Sequence, residues 1–210
     1  YVRLLCFYND HVSTIDPDTH NATNTWNYST LTDYGSVPDK DQILLQFDKD
    51  KLKFHCHNVE SSRVLTALLE CQDYDARSKQ GNQPPMTSNN VVLCNRWTRH
   101  GLQKPSALQL TSYALVEIHP SSRQRMQTYR FVDIAAISFS TDDPCGLILH
   151  FHSKTTTRLF SLTSGGRAEV VTAMRQAYQR LGMELRMTES TTTMQWKQSR
   201  HEFLQMHRKM

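Results

Sequence analysis

Residues 12–28 read Val12-Ser13-Thr14-Ile15-Asp16-Pro17-Asp18-Thr19-His20-Asn21-Ala22-Thr23-Asn24-Thr25-Trp26-Asn27-Tyr28, and the same outline returns 103 positions downstream. Val12 falls on Leu115, Ile15-Asp16-Pro17 on Ile118-His119-Pro120, and Thr25-Trp26-Asn27-Tyr28 on Thr128-Tyr129-Arg130-Phe131. Further along, Leu44-Leu45-Gln46-Phe47 meets Ile148-Leu149-His150-Phe151 at an offset of 104. Phe54 meets Phe160, and Val64-Leu65-Thr66-Ala67-Leu68 meets Val170-Val171-Thr172-Ala173-Met174, at 106. An offset that drifts by about three residues while the order holds is the mark of one architecture used twice with small loop insertions.

Each copy shows short runs that alternate apolar and polar residues. Turn chemistry punctuates them: Asp16-Pro17-Asp18, Asp48-Lys49-Asp50 and Pro120-Ser121-Ser122. The pattern predicts strands over 2–8, 11–16, 23–29, 43–48 and 51–56 in copy one. In copy two it predicts them over 91–97, 107–112, 113–118, 126–132, 134–140, 146–152 and 157–162. One amphipathic helix then ends each copy. In the first, Asn58 is the expected cap, Glu60 sits in the first turn, and Val64, Leu65, Leu68, Leu69 and Gln72 face inward. In the second the stripe is Val170, Val171, Met174, Ala177, Tyr178 and Leu181. The fold expected is mainly β with α: two tandem pleckstrin-homology-like β-sandwiches, each closed by a C-terminal helix. Copy one is short of its first strand.

Charge marks the same division. The chain has 210 residues and a net charge of +4, but residues 1–80 hold 8 Lys/Arg against 12 Asp/Glu, and residues 81–210 hold 16 against 8. The halves therefore carry −4 and +8. The segment around Pro84-Pro85 has no periodicity and reads as a linker. The expected boundaries are 1–80 for the first domain, 81–90 for the linker, 91–186 for the second domain and 187–210 for a basic amphipathic tail. In that tail Trp196, Phe203, Met206 and Met210 recur at helical spacing, as in a helix that docks on a later part of a longer protein or lies at a membrane interface. No apolar run approaches the length of a membrane span. Five cysteines without a Cys-x-x-Cys pair point to a reducing compartment, against two sequons at Asn21 and Asn27. Tyr1 opens inside an apolar run with no leader pattern, as in a piece of something longer.

The chain offers no ordered catalytic motif and no nucleotide-binding glycine pattern. His55-Cys56-His57 and His150-Phe151-His152 pair imidazoles on a strand face, yet lack further ligands at metal-site spacing. Thr163-Ser164-Gly165-Gly166-Arg167 reads as an ordinary loop and helix start. No catalytic residue, metal or cofactor is expected. The loop from Trp97 to Lys104 holds more interest. In pleckstrin-homology-like domains the loop after the first strand frames an inositol phosphate pocket, and here it offers Trp97, Arg99, His100 and Lys104. In the other reading Trp97 packs in the sandwich and the two cations are solvated, since Ser106-Ala107-Leu108-Gln109 adds no basic residue. Three function classes follow: a membrane- or protein-docking module, a nucleic-acid binder and an enzyme. The basic charges of the second half are spread over strands, helix and tail, not gathered on one aromatic face as a nucleic-acid binder needs.

Beyond these residues, the chain resembles a known family. Tyr1-Val2-Arg3, Ile15-Asp16-Pro17-Asp18-Thr19 and Thr23-Asn24-Thr25-Trp26 look like the amino-terminal region of the endosomal DnaJ-domain co-chaperones of receptor-mediated endocytosis, relatives of the plant gravitropism-defective protein. The likeness continues through Trp97, Gly101-Leu102-Gln103-Lys104-Pro105, Thr128 to Ile134, and Leu181 to Arg186. It implies a peripheral protein on the cytoplasmic face of early endosomes. It also implies recognition of phosphatidylinositol 3-phosphate by a motif of Lys, Trp, Tyr and Arg, whose last part Tyr1 and Arg3 match. The partners implied are that membrane and, through the full-length protein, a heat-shock cognate chaperone and sorting nexins. Neither nucleic acid nor enzymatic turnover is expected. A pure protein–protein scaffold is the alternative function.

Overall fold

A computed structural model describes residues 2–37, 40–57, 59–79, 91–98, 101–152 and 157–188. The expected linker, the tail with Trp196, Phe203, Met206 and Met210, the cap Asn58 and the site residues Tyr1 and Arg99 lie outside the described residues. The chain divides into two compact units, residues 1–87 with 177–183 and residues 88–176 with 184–210.

Unit one opens with β1 (Leu4–Phe7), β2 (His11–Ile15) and β3 (Ala22–Asn27). A 3-10 turn at Tyr28–Thr30 leads to β4 (Leu31–Val37), β5 (Gln42–Phe47) and β6 (Asp50–His55), and α1 (Ser61–Lys79) follows. The strands form two three-stranded antiparallel sheets, β1-β2-β3 and β4-β5-β6. Between them lies a core of Val12, Tyr28, Ile43, Leu45 and Phe47, covered by Leu65, Leu68 and Leu69 of α1. The helix begins at Ser61, one residue past Glu60, whose carbonyl accepts from the N–H groups of Arg63 and Val64. Val64 and Gln72 stand at the margin of the buried face rather than in it.

Unit two runs β7 (Val91–Trp97), β8 (Gln103–Leu110), β9 (Ala114–Ile118) and β10 (Arg125–Arg130). After a 3-10 turn at Phe131–Asp133 come β11 (Ile134–Phe139), β12 (Gly146–Phe151) and β13 (Thr157–Leu162), then α2 (Gly166–Arg180). Here all seven strands join one antiparallel sheet, ordered β10-β9-β8-β7-β13-β12-β11. The difference from unit one is β7. It pairs with β8 on one side, Val91 to Trp97 against Gln109 to Gln103, and with β13 on the other, Cys94 to Arg96 against Leu162 to Phe160. Among the described residues nothing fills the matching place between β1 and β6.

The repeat read from the sequence is present in the backbone itself. His20 and Arg123, 103 apart, both take the left-handed region, at φ 57° and 58°. The N–H of Asp16 donates to the carbonyl of Asn21 as His119 does to Gln124, and Tyr28 donates to Asp10 as Phe131 does to Tyr113. Aromatic packing repeats too: Trp26 lies 5.7 Å from Phe47, and Tyr129 lies 5.7 Å from Phe151. Tyr28 and Phe131 each open the 3-10 turn and are buried.

Two sequence expectations need correction, and one repeat pair differs in burial. β4 was not foreseen, because Thr32, Asp33, Gly35 and Ser36 read as turn chemistry; the ladder to β5 is what holds them extended. The strand expected over 107–112 runs Gln103–Leu110, and Thr111 to Tyr113 form the turn before β9. Trp26 is only partly buried, whereas its counterpart Tyr129 is enclosed.

Candidate functional site

In unit one the edge of β6 faces the sheet of β1 to β3 across a cleft of about 370 Å³. Arg3, Trp26, Asp50 and Lys53 line it, with Thr14, Thr23 and Phe54. Strand alternation explains the set: on β6, Lys51 and Lys53 are exposed while Leu52 and Phe54 are half-buried. The indole N–H of Trp26 donates to Asp50 Oδ2 at 2.9 Å, which ties the aromatic of β3 to the first residue of β6. Arg3 is the sequence-predicted residue that falls here, and its guanidinium pairs with Asp16 Oδ2 at 3.0 Å. The Asp16 carboxylate also accepts the N–H groups of Asp18 and Thr19, at 3.0 and 3.1 Å. Those two backbone donors, Thr19 first, hold its carboxyl below the usual carboxylate range, and Arg3 adds to them. The cleft thus brings together the cations Arg3 and Lys53 and an indole, with Asp16 on Arg3 and Asp50 on Trp26: chemistry suited to a small anion that exchanges with carboxylates.

Unit two presents the other predicted residues on the hairpin of β7 and β8. Trp97 ends β7, half-buried against Ile148 and Leu159. Lys104 is exposed on β8, opposite Arg96. The connection is tight: Thr98 N–H donates to the Leu102 carbonyl at 2.8 Å, Gly101 N–H to the Thr98 carbonyl at 3.0 Å, and Gly101 sits at φ 74°. Leu102 projects from it, 63% exposed. Arg3 therefore lies in a different unit from Trp97 and Lys104.

Sequence reasoning passed over two groups. Lys53 reads as a solvated strand lysine, and only the place of β6 brings it to the cleft. Glu117 is fully enclosed in β9, where Arg96 Nε lies 3.2 Å from Oε1, Ser106 donates to Oε1 at 2.9 Å and Tyr129 donates to Oε2 at 2.8 Å. Its signal was visible: one carboxylate inside the otherwise apolar run Ala114-Leu115-Val116-Glu117-Ile118 demands buried partners. Burial, with the Glu117 charge second, pushes the neighbouring Cys94 thiol up to about 12, so this thiol is inert at neutral pH. With every oxygen satisfied, the cluster holds strands together.

One histidine of each pair takes a side-chain hydrogen-bond partner. His55 Nε2 lies 2.6 Å from Gln42 Nε2, and Ser138 Oγ lies 2.8 Å from His150 Nε2. Among the described residues no three metal-ligating side chains converge. At the start of α2, Arg167 lies over the Phe139 ring, 4.6 Å from its centroid. Among the described residues no helix is long and apolar enough to cross a membrane.

Comparison with known families bears on both units. Residues 1–74 match the family model described as DNAJ protein RME-8 N-terminal domain, and residues 95–185 match that of the DNAJ protein RME-8 2nd domain. No curated protein matches the chain.

Proposed function

The chain belongs to the DNAJ protein RME-8 family of endosomal co-chaperones, and from that premise we propose that it is a non-enzymatic docking module. Two pleckstrin-homology-like units, over 1–80 and 91–186, hold the co-chaperone on the cytoplasmic face of early endosomes. They do so through anionic headgroups, phosphatidylinositol 3-phosphate among them. The heat-shock cognate chaperone and sorting nexins are partners of the full-length protein, and nucleic acid is not a ligand.

The observation that carries this reading is the cleft of unit one, where Arg3 and Lys53 flank Trp26. A phosphate entering there meets two cations and an indole. It must also displace Asp16 from Arg3, and Asp50 repels it. The headgroup contribution is therefore small, and general attraction by the basic half of the chain, +8 over residues 81–210, supplies most of the affinity. Lys104, five residues after Arg99 in sequence, is an exposed cation of unit two that can join in.

Vesicle co-sedimentation tests the reading. The full chain should sediment with phosphatidylcholine vesicles carrying phosphatidylinositol 3-phosphate and stay in solution with phosphatidylcholine alone. A basic residue near an anionic surface contributes about 1 kcal/mol, roughly fivefold in affinity. Lys104→Ala should then cost about fivefold, and Arg3→Ala with Lys53→Ala about 25-fold. Equal behaviour on charged and neutral vesicles would leave the protein–protein scaffold as the function.

A further inference from the structure

We propose that the outer edge of β11, beside α2 in unit two, takes an extended acidic peptide of a partner protein, which displaces the chain's own residues 186–188. This inference uses other residues than the membrane reading and is independent of it.

β11 ends the seven-stranded sheet, and its outer edge already pairs with extended chain. Ile137 N–H donates to the Arg186 carbonyl, and Thr188 N–H donates to the Ile137 carbonyl, both at 2.9 Å. Met187 thereby pairs with Ile137 as a parallel bridge. All these residues belong to unit two. The segment is a short strap. Arg186, Met187 and Thr188 are exposed, and the bridge joins a single pair of residues. Beyond its two backbone bonds, Thr188 Oγ1 reaches the Ile137 carbonyl only at 3.5 Å. A segment held this way opens at little cost. The edge itself runs further than the strap covers. Ile137 turns its N–H and C=O outward, and alternation turns those of Phe139 outward too, while Ser140 bonds across to Gly146.

Charge names the occupant. The Arg167 guanidinium lies over the Phe139 ring, and that of Arg175 donates to Met187 Sδ at 3.4 Å, where Met187 pairs with Ile137. Two cations of α2 thus stand beside the β11 edge, at ladder positions two residues apart. Residues two apart on a strand share a face, so one extended ligand can offer a carboxylate to each. Among the described residues no carboxylate pairs with either guanidinium, and Arg186, Met187 and Thr188 of the strap bring none. The fold itself does not call for these cations: 106 positions earlier, α1 has Ser61 and Leu69 in their places. Main-chain bonds along β11 give a peptide ligand its general affinity, and the arginines select acidic side chains. Without a ligand, the strap shields an edge that would otherwise invite foreign strands.

Fluorescence anisotropy tests this on the full 210-residue chain. The probe is a labelled octapeptide of alternating threonine and glutamate, and the control is its threonine–glutamine counterpart. An exposed ion pair is worth up to about fivefold, so the acidic peptide should bind about tenfold more tightly than the control. Arg167→Ala with Arg175→Ala should remove about that tenfold. Arg123→Ala with Arg125→Ala takes the same charge from the connection and strand of β9 and β10, and should change binding by less than about twofold. Thr188→Pro removes one of the two strap bonds and should tighten binding about threefold, because the competing segment is weakened. Equal binding of the two peptides, equal loss from the two arginine pairs, or a Thr188→Pro variant that binds no better overturns the proposal. So does an Arg167→Ala, Arg175→Ala variant that keeps the peptide but loses phosphatidylserine vesicles, which would make a membrane the occupant.

Discussion

Glu117, Phe131 and His150 each concentrate a different cost at a single position. Removing the Glu117 carboxylate leaves the Arg96 guanidinium and the Tyr129 hydroxyl facing an empty site in the interior. Glu117→Ala should therefore destabilise the protein by about 3–5 kcal/mol in denaturant unfolding, the usual loss when one partner of a buried ion pair is removed. A change below about 1 kcal/mol would show that the cluster is not satisfied as described. Phe131→Ala should cost about 3–5 kcal/mol as well, through the cavity it leaves. Trp26→Ala should cost about half as much, since its ring keeps one side open to the cleft. For His150 the cause is burial, which lowers its pKa below the ordinary histidine value of 6.5. Below that value the unfolded chain takes up a proton that the folded chain refuses. Stability from this group is complete above about pH 6.5 and falls as the pH drops towards the folded value. His150→Gln, which copies Gln46 at the repeat position, should flatten this part of the profile between pH 5 and 7 in urea midpoints. An unaltered slope would assign it to other histidines.

At the scale of elements, periodicity made most of the strands and both helices legible, while boundaries and β4 escaped. Leu65, Leu68 and Leu69 gave α1 its face, and Val170 and Met174 gave α2 its own, because a buried stripe leaves a 3.6-residue mark in any sequence. β4 left no such mark: Asp33 and Gly35 are extended only because Gln46 and Leu44 pair with them. Long-range pairing overrides local preference there, and no local reading finds it. Gly166 shows the reverse, a residue whose reason is wholly tertiary. A Cβ at this first position of α2 would meet Val92 Cγ1 of β7 at 2.5 Å, so the helix lies against the strand only without a side chain. Gly166→Ala should lower stability by about 1–3 kcal/mol, the usual cost of overpacking. Calorimetry showing no fall in the melting temperature would mean that α2 shifts away from β7 at no cost.

For the whole molecule, the duplication was legible before any coordinate, since matched residues kept their order at a nearly constant offset. The site was legible only in part. Arg3 came from a resemblance to a family motif and Lys104 from its place in a loop, but Lys53 needed the packing of β6 beside β3 to become a cleft residue. The central claim is that this chain docks by charge, with little recognition of one headgroup. The most direct test is a salt titration of vesicle binding, comparing phosphatidylinositol 3-phosphate with phosphatidylserine at matched surface charge. Charge-driven docking by a half that carries +8 predicts affinity that falls steeply from low to physiological salt and differs little between the two lipids. Binding selective for phosphatidylinositol 3-phosphate that persists at physiological salt would contradict it, because only a formed headgroup pocket gives that result.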